Sequence, residues 1–226
     1  MNDWAQLYRD HAEAVAALVG DLDSADLART VPATPEWTVH QVLAHLTGGP
    51  ADAVAGRMDG APGPEWTARH VAEREGRSVA DLVAELRSNV EGVAASLVDN
   101  PRPAIVWDIA VHHADLHEAL GRPAPDEHFW KPVAHGVAPM LLSPVPATVT
   151  VGDATYGAGG PQVTVSDYEF FRAAFSRRSR AQIRAWAGEA LPPEAIDGLC
   201  IFGPRDDDQP LPPPGSRDTD PVRTSP

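Results

Sequence analysis

The first 120 residues repeat one pattern, in which apolar side chains recur three and four positions apart and glycine or proline interrupts them. The clearest segment runs from Val79 to Leu97, directly after Ser78, a residue type that caps helices. Similar segments cover residues 3–20, 38–56 and 103–120. Each amphipathic helix must bury its apolar face, so four of them joined by modest connections predict a helical bundle over residues 1–122.

Local signals place the ends of these helices. Thr38 followed by Gln41 predicts a capping box at the start of the second helix. The Gly-Gly-Pro segment, residues 48–50, predicts either the end of that helix or a kink that lets it continue to about Gly56. Proline near residue 103 and Gly121 are expected to begin and end the last helix of the bundle.

A change of composition after residue 122 predicts a second, smaller unit over residues 135–204, preceded by a linker-like segment at 122–136. Two alternating segments predict strands joined by a hairpin turn in the glycine-rich sequence GAGG. Helical spacing predicts one long helix after them, and a short apolar run predicts a final strand. These elements are the strands 147–151 and 162–165, the helix 167–188 and the strand Leu199–Phe202. The expected fold class is therefore α+β, with an N-terminal four-helix bundle and a small C-terminal α+β unit.

The remaining residues, 205–226, are rich in proline, aspartate and serine and have almost no apolar side chains. They cannot bury enough apolar surface to offset the entropy of ordering, so a disordered tail is predicted.

Charge and composition exclude several classes of protein. Eighteen Lys and Arg residues stand against 32 Asp and Glu, which leaves a net charge of −14 and no basic block. Binding of nucleic acids or anionic membrane surfaces is therefore not expected. No apolar segment approaches the roughly 20 residues that span a bilayer, and the N-terminus does not resemble a signal peptide. The single cysteine, Cys200, excludes an internal disulfide framework, and a cytoplasmic protein is expected.

The sequence VWDIAVHHADLHEALG carries the most specific chemistry. Asp108 and His112 lie one helical turn apart, so a carboxylate and an imidazole share one face and could hold a metal ion. His112 falls on the apolar stripe of the helix, whereas His113 and His117 lie on the opposite edge, nearer solvent. This second pair, also four residues apart, offers alternative ligands. A simple hydrogen bond between Asp108 and His112 remains the other interpretation.

Other candidate residues are less distinct. His45 lies on the flank of its helical stripe, and spacing alone does not distinguish it from His40. His40 and His11 are interpreted as surface or interface histidines. Asp115 would either orient a ligand imidazole or act as a solvated or helix-capping acid. Cys200, in a predicted strand, is interpreted as a buried structural thiol.

An arginine cluster lies in the second unit, and three of its members are predicted to share one helix face. They would bind a carboxylate of a substrate or cofactor, or pair with the surplus acidic residues of the bundle. The cluster comprises Arg172, Arg177, Arg178, Arg180 and Arg184, with Arg177, Arg180 and Arg184 on the shared face.

Several of these segments resemble one family. WTVHQVLAHL and DIAVHHADLHEALGRP are similar to the metal-binding domain of the mycothiol-dependent maleylpyruvate isomerase family, part of the DinB-like superfamily. FFRAAFSRRSRAQIRAW and LCIFGPR resemble the small C-terminal region of many actinobacterial members. The resemblance covers most of residues 4–205.

The resemblance implies a DinB-like four-helix bundle that binds a divalent metal, usually zinc, through His45, Asp108 and His112. It also implies mycothiol as co-substrate, with its thiol at the open metal position, and a small electrophilic substrate that undergoes thiol-assisted isomerisation or S-transfer. The isomerase has glutamate where this chain has Asp108, so the carboxylate here is one methylene shorter. The expected state of the protein is a monomer or homodimer.

Two other functions fit the same residues. A metal-dependent hydrolase would use bound water as its nucleophile and would need no thiol. A non-catalytic binding or regulatory protein would keep the bundle without the chemistry. Dependence of activity on a thiol, and the metal content of the purified protein, separate these hypotheses.

Overall fold

The chain, described here by a computed structural model, forms two compact units, Met1–Gly121 and Arg122–Pro226. The structure describes residues 3–100 and 102–211. The first unit is mainly helical and the second combines helices with a small sheet, so the predicted α+β class is confirmed. None of the helices in the described residues is long and apolar enough to cross a membrane.

The first unit is a four-helix bundle with short additional elements. Its four long helices are α1, α3, α5 and α6: α1 and α3 both pack against α5 and against α6. The predicted bundle is therefore confirmed. A short antiparallel pair of strands, which the sequence analysis did not predict, precedes α3. In chain order the elements are α1 (Trp4–Gly20), α2 (Ser24–Leu27), β1 (Thr30–Val31), β2 (Thr34–Thr38), α3 (Val39–Ala55), α4 (Pro64–Glu73), α5 (Val79–Ser96) and α6 (Ala104–Ala119).

Helix α3 shows how local sequence and packing combine. Thr38 accepts a hydrogen bond from the backbone of Gln41, and the Gln41 side chain accepts one from the backbone of Thr38, as the predicted capping box requires. The helix then continues through Pro50, because most of this segment is buried and packing outweighs the lost backbone donor. Gly48 has a specific role: a Cβ atom there would lie 2.5 Å from the His70 side chain, so only glycine lets α4 pack this closely.

The second unit is built from helices around a three-stranded sheet. The strand order is β4-β3-β5, with β3 antiparallel to β4 and parallel to β5. In chain order the elements are α7 (Glu127–Leu142), β3 (Thr148–Val151), β4 (Ala154–Tyr156), β5 (Gln162–Val165), α8 (Asp167–Ala174), α9 (Arg180–Ala187), a 3₁₀ turn (Gly188–Ala190) and α10 (Pro193–Gly198).

The predicted linker at 122–136 is wrong from residue 127 onward, where α7 begins. Pro132 and Pro139 lie inside this helix, where each removes a backbone hydrogen-bond donor. The helix forms because its buried residues recur at helical spacing and pack against α8, which compensates for the missing backbone donors. The buried residues are Trp130, Val133, Ala134, Val137, Ala138 and Leu142.

The predicted hairpin is also wrong in its pairing. The hairpin partner of β3 is β4, across a tight turn at Gly152, where φ is +55°. Gly152 also packs directly against the Asp167 side chain, so no side chain fits there. The glycine-rich residues 157–160 instead connect β4 to β5, which lies on the other side of β3 and runs parallel to it.

Two further predictions in the second unit require correction. The single helix at 167–188 is divided into α8 and α9, because Ser176 takes a left-handed φ of +62° and Ser179 caps the new helix. The strand predicted at Leu199–Phe202 is absent from the structure, where a turn follows α10. Leu199 and Cys200 are buried, whereas Ile201 and Phe202 are exposed, so the apolar run does not mark a buried strand.

The beginning of the predicted tail is ordered. Ser179 donates a hydrogen bond to Asp208 at 2.5 Å, and the Gln182 side chain donates to the backbone carbonyl of Gln209 at 2.7 Å. Residues 205–211 are therefore held against α9 by polar contacts, which composition alone did not reveal. The remainder of the predicted tail, 212–226, lies outside the described residues.

Candidate metal centre

Three side chains of the bundle converge on one point. His45 projects from α3, and Asp108 and His112 project from successive turns of α6. One ligand atom from each lies within 4.8 Å of the other two. The Nε2 atom of His45 is 3.3 Å from Oδ2 of Asp108, and Nε2 of His112 is 3.8 Å from Oδ1 of the same carboxylate. The structure thus brings together the three residues predicted as metal ligands.

These donors fit a divalent metal in chemistry and in spacing. Ligands bound to one tetrahedral zinc ion at about 2.0–2.1 Å stand about 3.4 Å apart, close to the separations of Asp108 from the two imidazoles. Both histidines are buried, whereas Asp108 keeps 39% of its side chain exposed. The group is therefore open to solvent on the side of Asp108, where a further ligand would enter.

A second carboxylate lies beside the Nδ1 atom of His112. Its Nδ1 atom lies 3.0 Å from Oδ2 of Asp115, which is completely buried. A carboxylate at Nδ1 directs the opposite nitrogen of the ring toward a metal. Asp115 is thus not a solvated acid, and this distance supports the predicted orienting role, although Nδ1 of His112 makes no hydrogen bond of good geometry among the described residues.

His45 is supported in a different way, by a histidine that the sequence analysis missed. Its Nδ1 atom lies 3.2 Å from Nδ1 of His70 on α4, and Nε2 of His70 lies 3.1 Å from Oδ2 of Asp52. Burial lowers the pKa of His70, and its hydrogen bond to Asp52 offsets this effect only in part. Burial raises the pKa of Asp52, but hydrogen bonds from Arg69 and His70 lower it overall.

Aromatic side chains line the centre. The ring of Trp37 lies 5.0 Å from that of His45 and 6.1 Å from that of His112, and the ring of Trp66 lies 6.4 Å from His45. Tyr8 on α1 is fully buried, and burial together with the charge of Asp108 raises its pKa, so its hydroxyl stays protonated. These residues give the centre a largely apolar wall.

The remaining candidate histidines lie elsewhere. His113 is buried, with its Nδ1 atom 3.2 Å from Nδ1 of His11, so the expectation that it faces solvent is wrong. His40 donates a hydrogen bond from Nε2 to the carbonyl of Arg77 at 2.8 Å. Among the residues that the structure describes, no other group of three potential ligands reaches metal-binding spacing, so the pair His113 and His117 does not complete an alternative site.

Two members of the arginine cluster form ion pairs within the second unit. Arg178 is buried and pairs with Glu169, while Arg180 is partly exposed and pairs with Asp197. Both partners lie in the second unit. The expectation of a shared helix face is wrong, because Arg177 precedes α9.

Cys200 has the character of a structural thiol. It is buried, and its Sγ atom donates a long hydrogen bond of 3.6 Å to the carbonyl of Ile196. Burial raises the pKa of Cys200 to about 11, which keeps the thiol protonated at neutral pH. The chain itself therefore offers no reactive thiolate, since this is its single cysteine.

Comparison with known proteins identifies similar sequences and folds. The sequence model of a family described as the mycothiol maleylpyruvate isomerase N-terminal domain matches residues 8–147. No curated protein matches the chain in sequence. A crystal structure of the mycothiol-dependent maleylpyruvate isomerase superposes with a TM-score of 0.55 at 13% identity, covering 78% of this chain and 90% of that one. A mutant of that isomerase with a histidine replaced by alanine gives 0.54 at 12% identity and the same coverage. At this identity the superpositions show the shared fold.

Proposed function

The chain belongs to the mycothiol maleylpyruvate isomerase N-terminal domain family, of DinB-like fold, and from this membership we propose that it is a metal- and mycothiol-dependent enzyme. It would act on a small electrophile by thiol-assisted isomerisation or S-transfer. The observation that carries the proposal is the convergence of His45, Asp108 and His112 on one point that is open on one side.

In the proposed site, His45 and His112 present Nε2 and Asp108 presents its carboxylate. A divalent ion held by these residues would act as a Lewis acid and lower the pKa of a coordinated thiol, as metals do for thiols and water. The open side beside Asp108 is where mycothiol would approach. An external thiol is required because the buried Cys200 stays protonated.

The surrounding residues support this chemistry. Trp37 and Trp66 exclude water from the buried side of the two imidazoles, which strengthens electrostatic interactions within the site. Tyr8, protonated and buried, is a hydrogen-bond donor that the site can use without itself ionising. The net charge of two neutral imidazoles and one carboxylate leaves a bound divalent ion with residual positive charge, which favours an anionic thiolate.

Both proposed reactions begin with the same nucleophile. A thiolate that adds to a conjugated double bond converts it to a single bond, which rotates before elimination regenerates the thiol and the isomerised substrate. A thiolate that displaces a leaving group instead forms a thioether and releases that group. The first outcome consumes no thiol, whereas the second consumes one thiol per turnover.

The proposed function predicts that activity requires mycothiol. Metal-loaded protein is expected to isomerise maleylpyruvate, or to conjugate a chlorodinitrobenzene, when mycothiol is added, and to do neither without it. Absorbance follows both reactions, and a thiol titration shows whether mycothiol is consumed.

Two variants complete this experiment. Asp108→Ala should remove the activity, and Asp59→Ala, at an exposed loop position, should keep it. Ester hydrolysis that proceeds equally well without thiol would contradict the proposal and favour a hydrolase. Absence of any reaction across both substrates and a panel of related electrophiles would favour a non-catalytic binding protein.

A further inference from the structure

A chain of three buried groups leads from Asp52 through His70 to His45. Nε2 of His70 is 3.1 Å from Oδ2 of Asp52, and Nδ1 of His70 is 3.2 Å from Nδ1 of His45. We propose that His70 is a positioning residue that accepts the Nδ1 proton of His45 and so leaves Nε2 free to bind a metal ion beside Asp108. Its effect on metal affinity rests on the proposed function, whereas its effect on the tautomer of His45 does not.

The direction of the hydrogen bonds among these three groups follows from the group at one end, the Asp52 carboxylate. An ionised carboxylate only accepts hydrogen bonds, so Nε2 of His70 must donate to Asp52. A neutral imidazole carries a single proton, which leaves Nδ1 of His70 as an acceptor. The atom that faces it, Nδ1 of His45, can therefore donate to His70. The Asp108 carboxylate, 3.3 Å from Nε2 of His45, competes for the same proton unless a cation between Nε2 and Asp108 binds both.

Asp52 is well suited to fix this order. Its side chain is completely buried, and one oxygen, Oδ1, lies 2.6 Å from an Nη atom of Arg57. The other oxygen accepts from Arg69 as well as from His70. Two guanidinium groups thus keep the carboxylate ionised and in place, so it cannot serve as a donor to His70.

Packing keeps His70 in the required orientation. Its side chain lies directly against Gly48 of α3, where even a methyl group would come within 2.5 Å of it. On the other side the ring of Trp66 packs edge-on, with ring centroids 4.1 Å apart. Gly48 of α3 therefore creates the space in which α4 brings a second imidazole to His45.

Two nearly isosteric substitutions distinguish positioning from bulk packing. In His70→Asn, the side-chain oxygen can occupy the place of Nδ1 and still accept from His45. In His70→Gln, the terminal amide reaches the place of Nε2, toward Asp52, and no acceptor remains beside His45. Both variants keep a polar side chain of similar volume, so a purely structural role predicts similar effects from both.

Nitrogen-15 NMR of metal-free protein carrying Asp108→Ala, which removes the competing carboxylate, tests the tautomer directly at about pH 8, where an ordinary imidazole is neutral. In this background, alone and combined with His70→Asn, His45 is expected to carry its proton on Nδ1. In His70→Gln it is expected to shift toward the Nε2-protonated form. His40→Ala, which removes a histidine outside this chain of groups, is the control and should leave the spectrum of His45 unchanged. Circular dichroism verifies that each variant is folded.

Metal affinity provides the second measurement. Loss of a group that orients a ligand imidazole typically lowers metal affinity by about 10–100-fold. Competition with a chromophoric chelator should show this loss for Zn²⁺ in His70→Gln and a much smaller one in His70→Asn. The visible spectrum of the Co²⁺-loaded protein should change in the same order.

The outcomes separate this inference from the proposed function. In the Asp108→Ala background, a His45 protonated on Nε2 while His70 is intact, or an Nδ1 proton that persists in the folded His70→Gln combination, would overturn the role of His70. The expected tautomers, together with a wild-type protein that binds no Zn²⁺, would support the role of His70 and contradict the metal-dependent function. Equal losses of Zn²⁺ affinity in His70→Asn and His70→Gln would reduce His70 to a packing residue and overturn the inference.

Discussion

Replacing Asp108 by alanine is expected to lower the affinity for a divalent ion by more than about 100-fold while the protein remains folded. Groups that only orient a metal ligand contribute about 10–100-fold, and Asp108 would be the one anionic donor in direct contact with the ion. The carboxylate faces both imidazole Nε2 atoms, at 3.3 and 3.8 Å. Because 39% of its side chain is exposed, its removal opens no large core cavity.

Isothermal titration with Zn²⁺ and Co²⁺ measures this loss, and two variants control it. Asp108→Glu, which extends the carboxylate by one methylene, is expected to keep binding. Asp59→Ala is expected to bind as the wild type does, because Asp59 lies in an exposed loop. Undiminished affinity in Asp108→Ala would show that the metal, if bound, is held by other residues.

The second large effect is expected in the C-terminal unit, at the buried ion pair between Arg178 and Glu169. Nε and Nη2 of Arg178 each donate to one carboxylate oxygen at 2.7 Å, and Nη1 donates to the carbonyl of Arg177. The Arg178 side chain is completely buried and that of Glu169 is 14% exposed. Removal of one partner leaves the other charge buried and unpaired, so Arg178→Met should lower the free energy of unfolding by about 3–5 kcal/mol.

Chemical denaturation followed by tryptophan fluorescence checks this value. The double variant Glu169→Gln with Arg178→Met should recover part of the loss, since no unpaired charge remains. Arg180→Met is the matched control and should cost much less, because its pair with Asp197 is exposed to solvent. A decrease below about 1 kcal/mol in Arg178→Met would contradict the structural role and return this arginine to the candidates for ligand binding.

The helices of the bundle could be predicted because local sequence and burial agree there. In α5, the cap at Ser78 and the apolar stripe indicate the same helix that the structure contains. In the second unit they disagree. Pro132 and Pro139 indicate a break, but the buried face of α7 outweighs them. Ser176 adopts a left-handed φ that no sequence signal marked, since serine, unlike glycine, gives no hint of it.

The residues of the candidate metal centre could likewise be predicted only in part. The spacing of Asp108 and His112 was visible because both lie on one helix, where the period places them on one face. His45 lies on another helix and was selected by family resemblance rather than by spacing. His70 and Asp52 had no signal of their own, because a lone histidine and a lone aspartate acquire meaning only when helix packing brings them together. In the sequence, this close packing was indicated only by the Gly-Gly pair of α3.

The central claim is that His45, Asp108 and His112 hold one divalent ion, and elemental analysis of the purified protein beside His112→Ala tests it most directly. The account predicts about one divalent ion per chain in the wild type and close to none in the folded variant. A wild-type protein that contains no metal even after reconstitution would contradict the claim. Equal metal content in wild type and His112→Ala would contradict it as well.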